Sequence, residues 1–179
     1  GCSLRCVYCQ NADIAHGGFG KAISCERLCE IFFELAEKGV HNINLVTPTH
    51  FTPQIREAII MAKSRGFLLP FVYNSAAENY PETAKAATAE MVRQTGEPVF
   101  SADGLMKRGT IVRLLILPEG MLDAKSVLRY LHRTYGGRIY ISIMNQYTPM
   151  AGVPYPELAR KITEREYDGI INFAIDEGI

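Results

Sequence analysis

Apolar positions along the chain alternate between a helical period and the tighter spacing of strands. "CERLCEIFFELAEK" (25–38) predicts a helix with Ser24 as its N-cap and Gly39 as its stop. "NINLVT" (42–47) reads as a short strand, and "TPQIREAIIMAKSRG" as a helix with Pro53 at its start and Gly66 at its end. "FLLPFVY" (67–73) is a strand whose proline argues against a plain central ladder position. "PETAKAATAEMVRQTG" (81–96) is a Pro-started, Gly-stopped helix. "TIVRLLIL" (110–117) is a nearly continuous apolar run, as expected of a strand covered on both faces. "LDAKSVLRYLHRT" is helical, "RIYISIM" (138–144) a strand, and "TEREYDGIINFAIDEG" (163–178) a helix capped by Thr163.

Four strands alternating with five helices predict an α/β fold with parallel strands and right-handed crossovers. The alternation requires a strand before the first helix, and "VYNS" runs abruptly into "YPETAK". Restoring one strand before Gly1, plus a helix and a strand near residues 76–80, gives six βα units. The expectation is therefore six βα units in one domain, 1–179, with segments absent at those two places. "TPMAGVPYPEL" (148–158) reads as an ordered rim loop.

Composition narrows the partners. Nineteen Lys and Arg balance nineteen Asp and Glu, so no net field favours nucleic acid or an anionic membrane. No apolar run approaches the roughly 20 residues that span a bilayer. The default compartment is the cytoplasm, and five cysteines, an odd number, suit it better than a disulfide framework does.

Three of the five crowd into "GCSLRCVYCQN" as C-x-x-x-C-x-x-C: Cys2, Cys6 and Cys9. Thiolates select zinc, copper(I) or iron–sulfur clusters. A structural zinc site closes with four ligands, for which only His16 is near in sequence. A four-iron cluster held by three cysteines instead keeps one iron open to an outside ligand. Ordinary ferredoxins use four cysteines, so an open corner points to chemistry. Cys25 and Cys29, four apart on a helix beside Leu28, Phe32 and Phe33, read as buried structural thiols.

The cysteine stretch, with Tyr8 in its aromatic slot, resembles the signature of the radical S-adenosylmethionine (SAM) superfamily. With "GGFGKAIS", "NLVTPTHFTPQI" and "MNQYTPM", the chain resembles the pyruvate formate-lyase activating enzymes and their homologues along essentially its whole length. The resemblance implies the partial six-unit barrel of the radical SAM type. It implies an oxidoreductase in which Cys2, Cys6 and Cys9 bind three irons of a four-iron–four-sulfur cluster, while SAM chelates the fourth. One-electron reduction then cleaves SAM to a 5′-deoxyadenosyl radical that abstracts a substrate hydrogen. The implied partners are an electron donor such as flavodoxin or ferredoxin and, by analogy with activases, a glycyl-radical protein.

The same resemblance suggests cofactor-binding residues. Tyr8 is expected near the adenine. "VTPTH" replaces the usual Gly-Gly-Glu after the second strand, so hydroxyls and carbonyls of Thr47 and Thr49 are expected to meet the SAM amino group. Asn74 and Ser75 end the next strand, on the rim where (β/α) folds assemble chemistry. Arg113 is expected to face inward, toward the SAM carboxylate or ribose, its alternative being a strut to a helix carboxylate. Met144, Asn145 and Gln146 resemble the position that packs on adenine. His50 is a rim histidine or an acid–base group, and Asn42 and Asn44 are lumen contacts or satisfied core amides. No catalytic side chain is assigned. Alternatives of other classes are a non-catalytic zinc or iron–sulfur module and a degenerate homologue that binds SAM without cleaving it.

Overall fold

The computed structural model describes Cys2, Cys6, Val7, Cys9 and residues 11–74 and 81–179. The expected break near residues 76–80 lies outside the described residues. Two compact units emerge. Asn11–Ala84 with Cys2 form the first, and Lys85–Ile179 with Cys6 and Cys9 the second.

In the first unit the order is α1 (Ala12–His16), α2 (Cys25–Glu37), β1 (Ile43–Val46), α3 (Thr52–Ser64) and β2 (Phe71–Asn74). Ser24 caps α2 as anticipated, its side chain accepting from the Arg27 amide. β1 and β2 pair in parallel, Ile43 opposite Phe71 and Val46 opposite Asn74. One face of the pair packs on the helices, where Cys29, Phe32, Ile43, Ala58, Ala62 and Phe67 are buried together.

The second strand is shorter than 67–73, and its residues show why. Phe67 is a core anchor rather than a ladder residue, with ring centroids 5.2 Å from Phe33 and 5.4 Å from Phe71. Pro70 has no N–H to give the ladder. Its carbonyl accepts from the Ile43 amide at 3.0 Å, and pairing begins at the next residue.

In the second unit come most of α4 (Glu82–Thr95), then β3 (Val99–Phe100), β4 (Met106–Arg108), β5 (Thr110–Leu115), α5 (Met121–Tyr135), β6 (Ile139–Met144) and α6 (Glu164–Asp176). β5 and β6 are parallel, Thr110 opposite Ile139 and Leu115 opposite Met144. β3 and β4 are an antiparallel hairpin that the periodicity did not predict. Its tip, "SADG", holds the Asp-Gly pair that marks such turns.

β5 is not covered on both faces. Ile116, Ala124, Leu128, Ile170 and Ala174 form a core against α5 and α6, while Ile111 and Arg113 are exposed on the other face. Thr110, buried, bonds to the Thr95 hydroxyl at 3.0 Å. The strands thus make three two-stranded sheets among the described residues. No helix among them is long and apolar enough to cross a membrane.

A carboxylate ties the turn after β5 to α6. Glu166 completes the capping box with Thr163. It also accepts from Arg160 at 2.8 and 2.9 Å and from the Glu119 amide at 2.9 Å. Arg160, then the Thr163 and Glu119 amides, hold its carboxyl well below the usual carboxylate range, against the opposing pull of burial. Glu166→Gln should lower unfolding stability by roughly 1–3 kcal/mol at neutral pH. Because the folded carboxyl titrates low, that gap is full above the unfolded pKa near 4.3 and closes as pH falls toward the folded value. Chemical denaturation across pH checks both the size and the direction.

Candidate functional site

Parallel pairing brings the carboxyl ends of β1 and β2 to one edge, and those of β5 and β6 to another. Thr47, Thr49 and Asn74 lie at or just after the first of these edges, and Met144 and Asn145 at the second.

Thr47 follows β1 directly and adopts φ +50°, a left-handed conformation costly for a β-branched residue. Pro48, the next residue, is buried, and a short 3-10 turn, Thr49–Phe51, leads into α3. Thr49 and His50 are exposed, and the His50 ring lies 4.3 Å from that of Phe51. Asn74 is the last ladder residue of β2, beside Val46. Asn44 is exposed on the face of β1 away from the core, and Asn42 precedes the strand, also exposed. Tyr8 and Ser75 lie outside the described residues.

On β5–β6, Arg113 stands opposite Ser142 on the face away from α5 and α6. Among the described residues it makes no strut to a helix carboxylate. Its Nε–H donates to the Met144 thioether sulfur at 3.0 Å, and the other guanidinium donors find no partner among the described residues. Gln146 donates to the same sulfur at 3.5 Å. A thioether is a weak acceptor, so Arg113 keeps nearly its whole capacity to grip a planar anion. Asn145 is exposed beside Met144. Thr47, Thr49 and Asn74 thus belong to the first unit, and Arg113, Met144 and Asn145 to the second.

All five thiols are free. The Cys9 amide donates to the Cys6 carbonyl at 3.1 Å, which draws the backbones of those two cysteines together. The Cys2 amide donates to the Ala15 carbonyl at 3.0 Å, fastening that cysteine to α1. Cys6 is exposed, and Cys2 and Cys9 are half-buried. His16, exposed, ends α1. Among the described residues no three His, Cys, Asp or Glu side chains stand grouped to hold a metal ion. Thiolates as a ligand type select soft metals; Cys2 belongs to the first unit, and Cys6 and Cys9 to the second.

Cys25 and Cys29 serve other partners. Cys25 Sγ lies 3.5 Å from Glu57 Oε2, and burial followed by that carboxylate pushes the thiol above its ordinary value. Cys29 is fully buried, with Arg65 Nη1 at 3.6 Å from its sulfur. Both thiols help join α2 to α3.

Sequence reasoning missed Tyr73 and Thr52, whose hydroxyls meet at 3.3 Å beside the Thr49–Phe51 turn. The available signal was the threonine directly before Pro53, at a helix start where a hydroxyl can fold back. It also missed Glu119 and Glu166, the latter marked by T-x-x-E at 163–166.

Comparison with protein-family models, curated proteins and solved structures returns no match for this chain.

The left-handed Thr47 yields a direct test. Thr47→Gly should remove strain of about 1–2 kcal/mol and return about 0.5–1 kcal/mol as extra chain entropy. A slightly more stable protein is expected on denaturant unfolding. An unstrained backbone there would make the variant less stable than the wild type.

Proposed function

We propose that this chain is a radical SAM oxidoreductase of the pyruvate formate-lyase activating enzyme type. The observation that carries the reading is the three-cysteine stretch. Cys2, Cys6 and Cys9 have the spacing of that superfamily and form no disulfide, and the Cys9 amide bonds to the Cys6 carbonyl. Three thiolates would hold three irons of a four-iron–four-sulfur cluster and leave one iron to a ligand from outside the chain. A cluster so held, with SAM, would supply one-electron cleavage of the sulfonium carbon–sulfur bond and, through it, hydrogen abstraction from a substrate.

The chain's own residues supply binding and orientation. Thr47 and Thr49 offer hydroxyls and carbonyls at the end of β1 for the SAM amino group, with Asn74 at the end of β2 and Ser75 after it. Arg113, with most of its guanidinium donors unpaired among the described residues, suits the SAM carboxylate or ribose. Met144, on the strand face that bears Arg113, and the adjacent Asn145 suit the adenine, together with Tyr8. Two parallel β-α-β crossovers support a partial (β/α)6 barrel as the frame. The reading carries with it a reducing, cytoplasmic setting and a flavodoxin or ferredoxin as electron donor. A glycyl-radical protein as substrate rests on the resemblance alone.

Anaerobic reconstitution with iron and sulfide, followed by dithionite and SAM, tests the proposal. The wild type should take up four irons and release 5′-deoxyadenosine. Alanine at Cys2, Cys6 or Cys9 should abolish both, and Cys25→Ala should leave both near wild type. Zinc retained in place of iron, or a loaded cluster that never releases 5′-deoxyadenosine, would remove the proposal. Equal iron loss from Cys25→Ala and Cys6→Ala would show that the ligands are wrongly assigned.

A further inference from the structure

Tyr73 is the third residue of β2, opposite Leu45 in the ladder. Alternation along the strand puts it on the face of Phe71, which packs against the α2–α3 core. Its phenol oxygen lies 3.3 Å from Thr52 Oγ1, at the first residue of α3. Thr52 Oγ1 lies 2.7 Å from the Thr49 carbonyl oxygen.

These two contacts fix their own direction. A threonine hydroxyl has a single hydrogen, and a carbonyl can only accept. The short contact therefore takes the Thr52 hydrogen, and the hydrogen in the longer contact must come from Tyr73. The result is a one-way chain from the Tyr73 hydroxyl to the Thr52 hydroxyl to the Thr49 carbonyl. That carbonyl also receives the Thr52 amide. One step back, the Phe51 amide donates to the Pro48 carbonyl at 2.8 Å. The turn so fastened begins at Thr47, whose left-handed backbone its own side chain disfavours. A segment that opposes local preference needs neighbours to hold it, and Tyr73 reaches it from the adjacent strand.

We propose that Tyr73 is a positioning residue which, through Thr52, holds the Thr47–Thr49 segment in its ligand-presenting shape. The inference rests on the reading of Thr47 and Thr49 as SAM contacts, and names a residue that acts on SAM without touching it.

Tyr73→Phe deletes only the hydroxyl that starts the chain. In the metal-free protein, amide hydrogen exchange at Phe51 and Thr52 should quicken by roughly three- to tenfold, while exchange in α5 stays unchanged. The thermal midpoint should fall by no more than about 4 °C. In the iron-loaded protein, the SAM dissociation constant should rise by a similar factor with iron content unaltered. Thr52→Ser should resemble the wild type, and Thr52→Val should match or exceed the effect of Tyr73→Phe. Wild-type exchange at Phe51 and Thr52 in Tyr73→Phe would overturn the proposal. So would an effect spread evenly over the chain, or wild-type SAM affinity despite faster local exchange. Should the iron-loaded wild type itself bind no SAM, the SAM reading fails, and the exchange data alone decide whether Tyr73 holds the turn.

Discussion

A strand cannot pair in parallel with its predecessor through a tight turn; the chain must first travel back past the sheet. That constraint shapes both units. β1 reaches β2 only through α3, and β5 reaches β6 only through α5. The return helix then covers one face of its strand pair, which is why Ala58 of α3 is buried in the first unit and Leu128 of α5 in the second. It also places both carboxyl ends of each pair at one edge, so the turns after the strands carry no ladder hydrogen bonds and can bear chemistry. Thr47–Phe51 and Leu117–Gly120 are those turns.

Each turn holds a non-glycine residue in the left-handed region, Thr47 at φ +50° and Glu119 at φ +62°. Each is also held from a neighbouring element. Glu119 gives its amide to the Glu166 carboxylate, a charged acceptor that Arg160 and Thr163 already orient. The turn after Thr47 has the gentler restraint of two neutral hydroxyls, Tyr73 bonding to Thr52 and Thr52 to the Thr49 carbonyl. Charge-assisted bonds are roughly twice as strong as neutral ones, so the turn after β5 is fixed more firmly than the turn after β1. The softer restraint lies in the segment proposed to contact SAM.

Much of this was legible in the residues. Ser24 and Thr163 announced helix starts, Gly39 and Gly66 announced stops, and the apolar runs at 42–47, 110–117 and 138–144 became β1, β5 and β6. Periodicity failed where one residue outweighed its neighbours. Phe67 reads as strand by type but is claimed by an aromatic cluster, and Pro70 delays pairing to Phe71. The β3–β4 hairpin was too short for any period to appear. "TIVRLLIL" looked buried throughout, yet a two-stranded sheet with helices on one face leaves Ile111 and Arg113 open. Of the candidate site, the cysteine spacing was plain in sequence. The Tyr73–Thr52–Thr49 chain was not, because it joins a strand to a turn 21 residues away in sequence.

The central claim is that three thiolates of this chain anchor a cluster whose remaining iron takes SAM. Mössbauer spectroscopy of the anaerobically reconstituted protein, loaded with isotopically enriched iron and compared with and without SAM, addresses it most directly. The account predicts that SAM shifts the signal of one iron in four and leaves the other three in place. A four-iron spectrum indifferent to SAM, or a preparation that holds no cluster under these conditions, would contradict it.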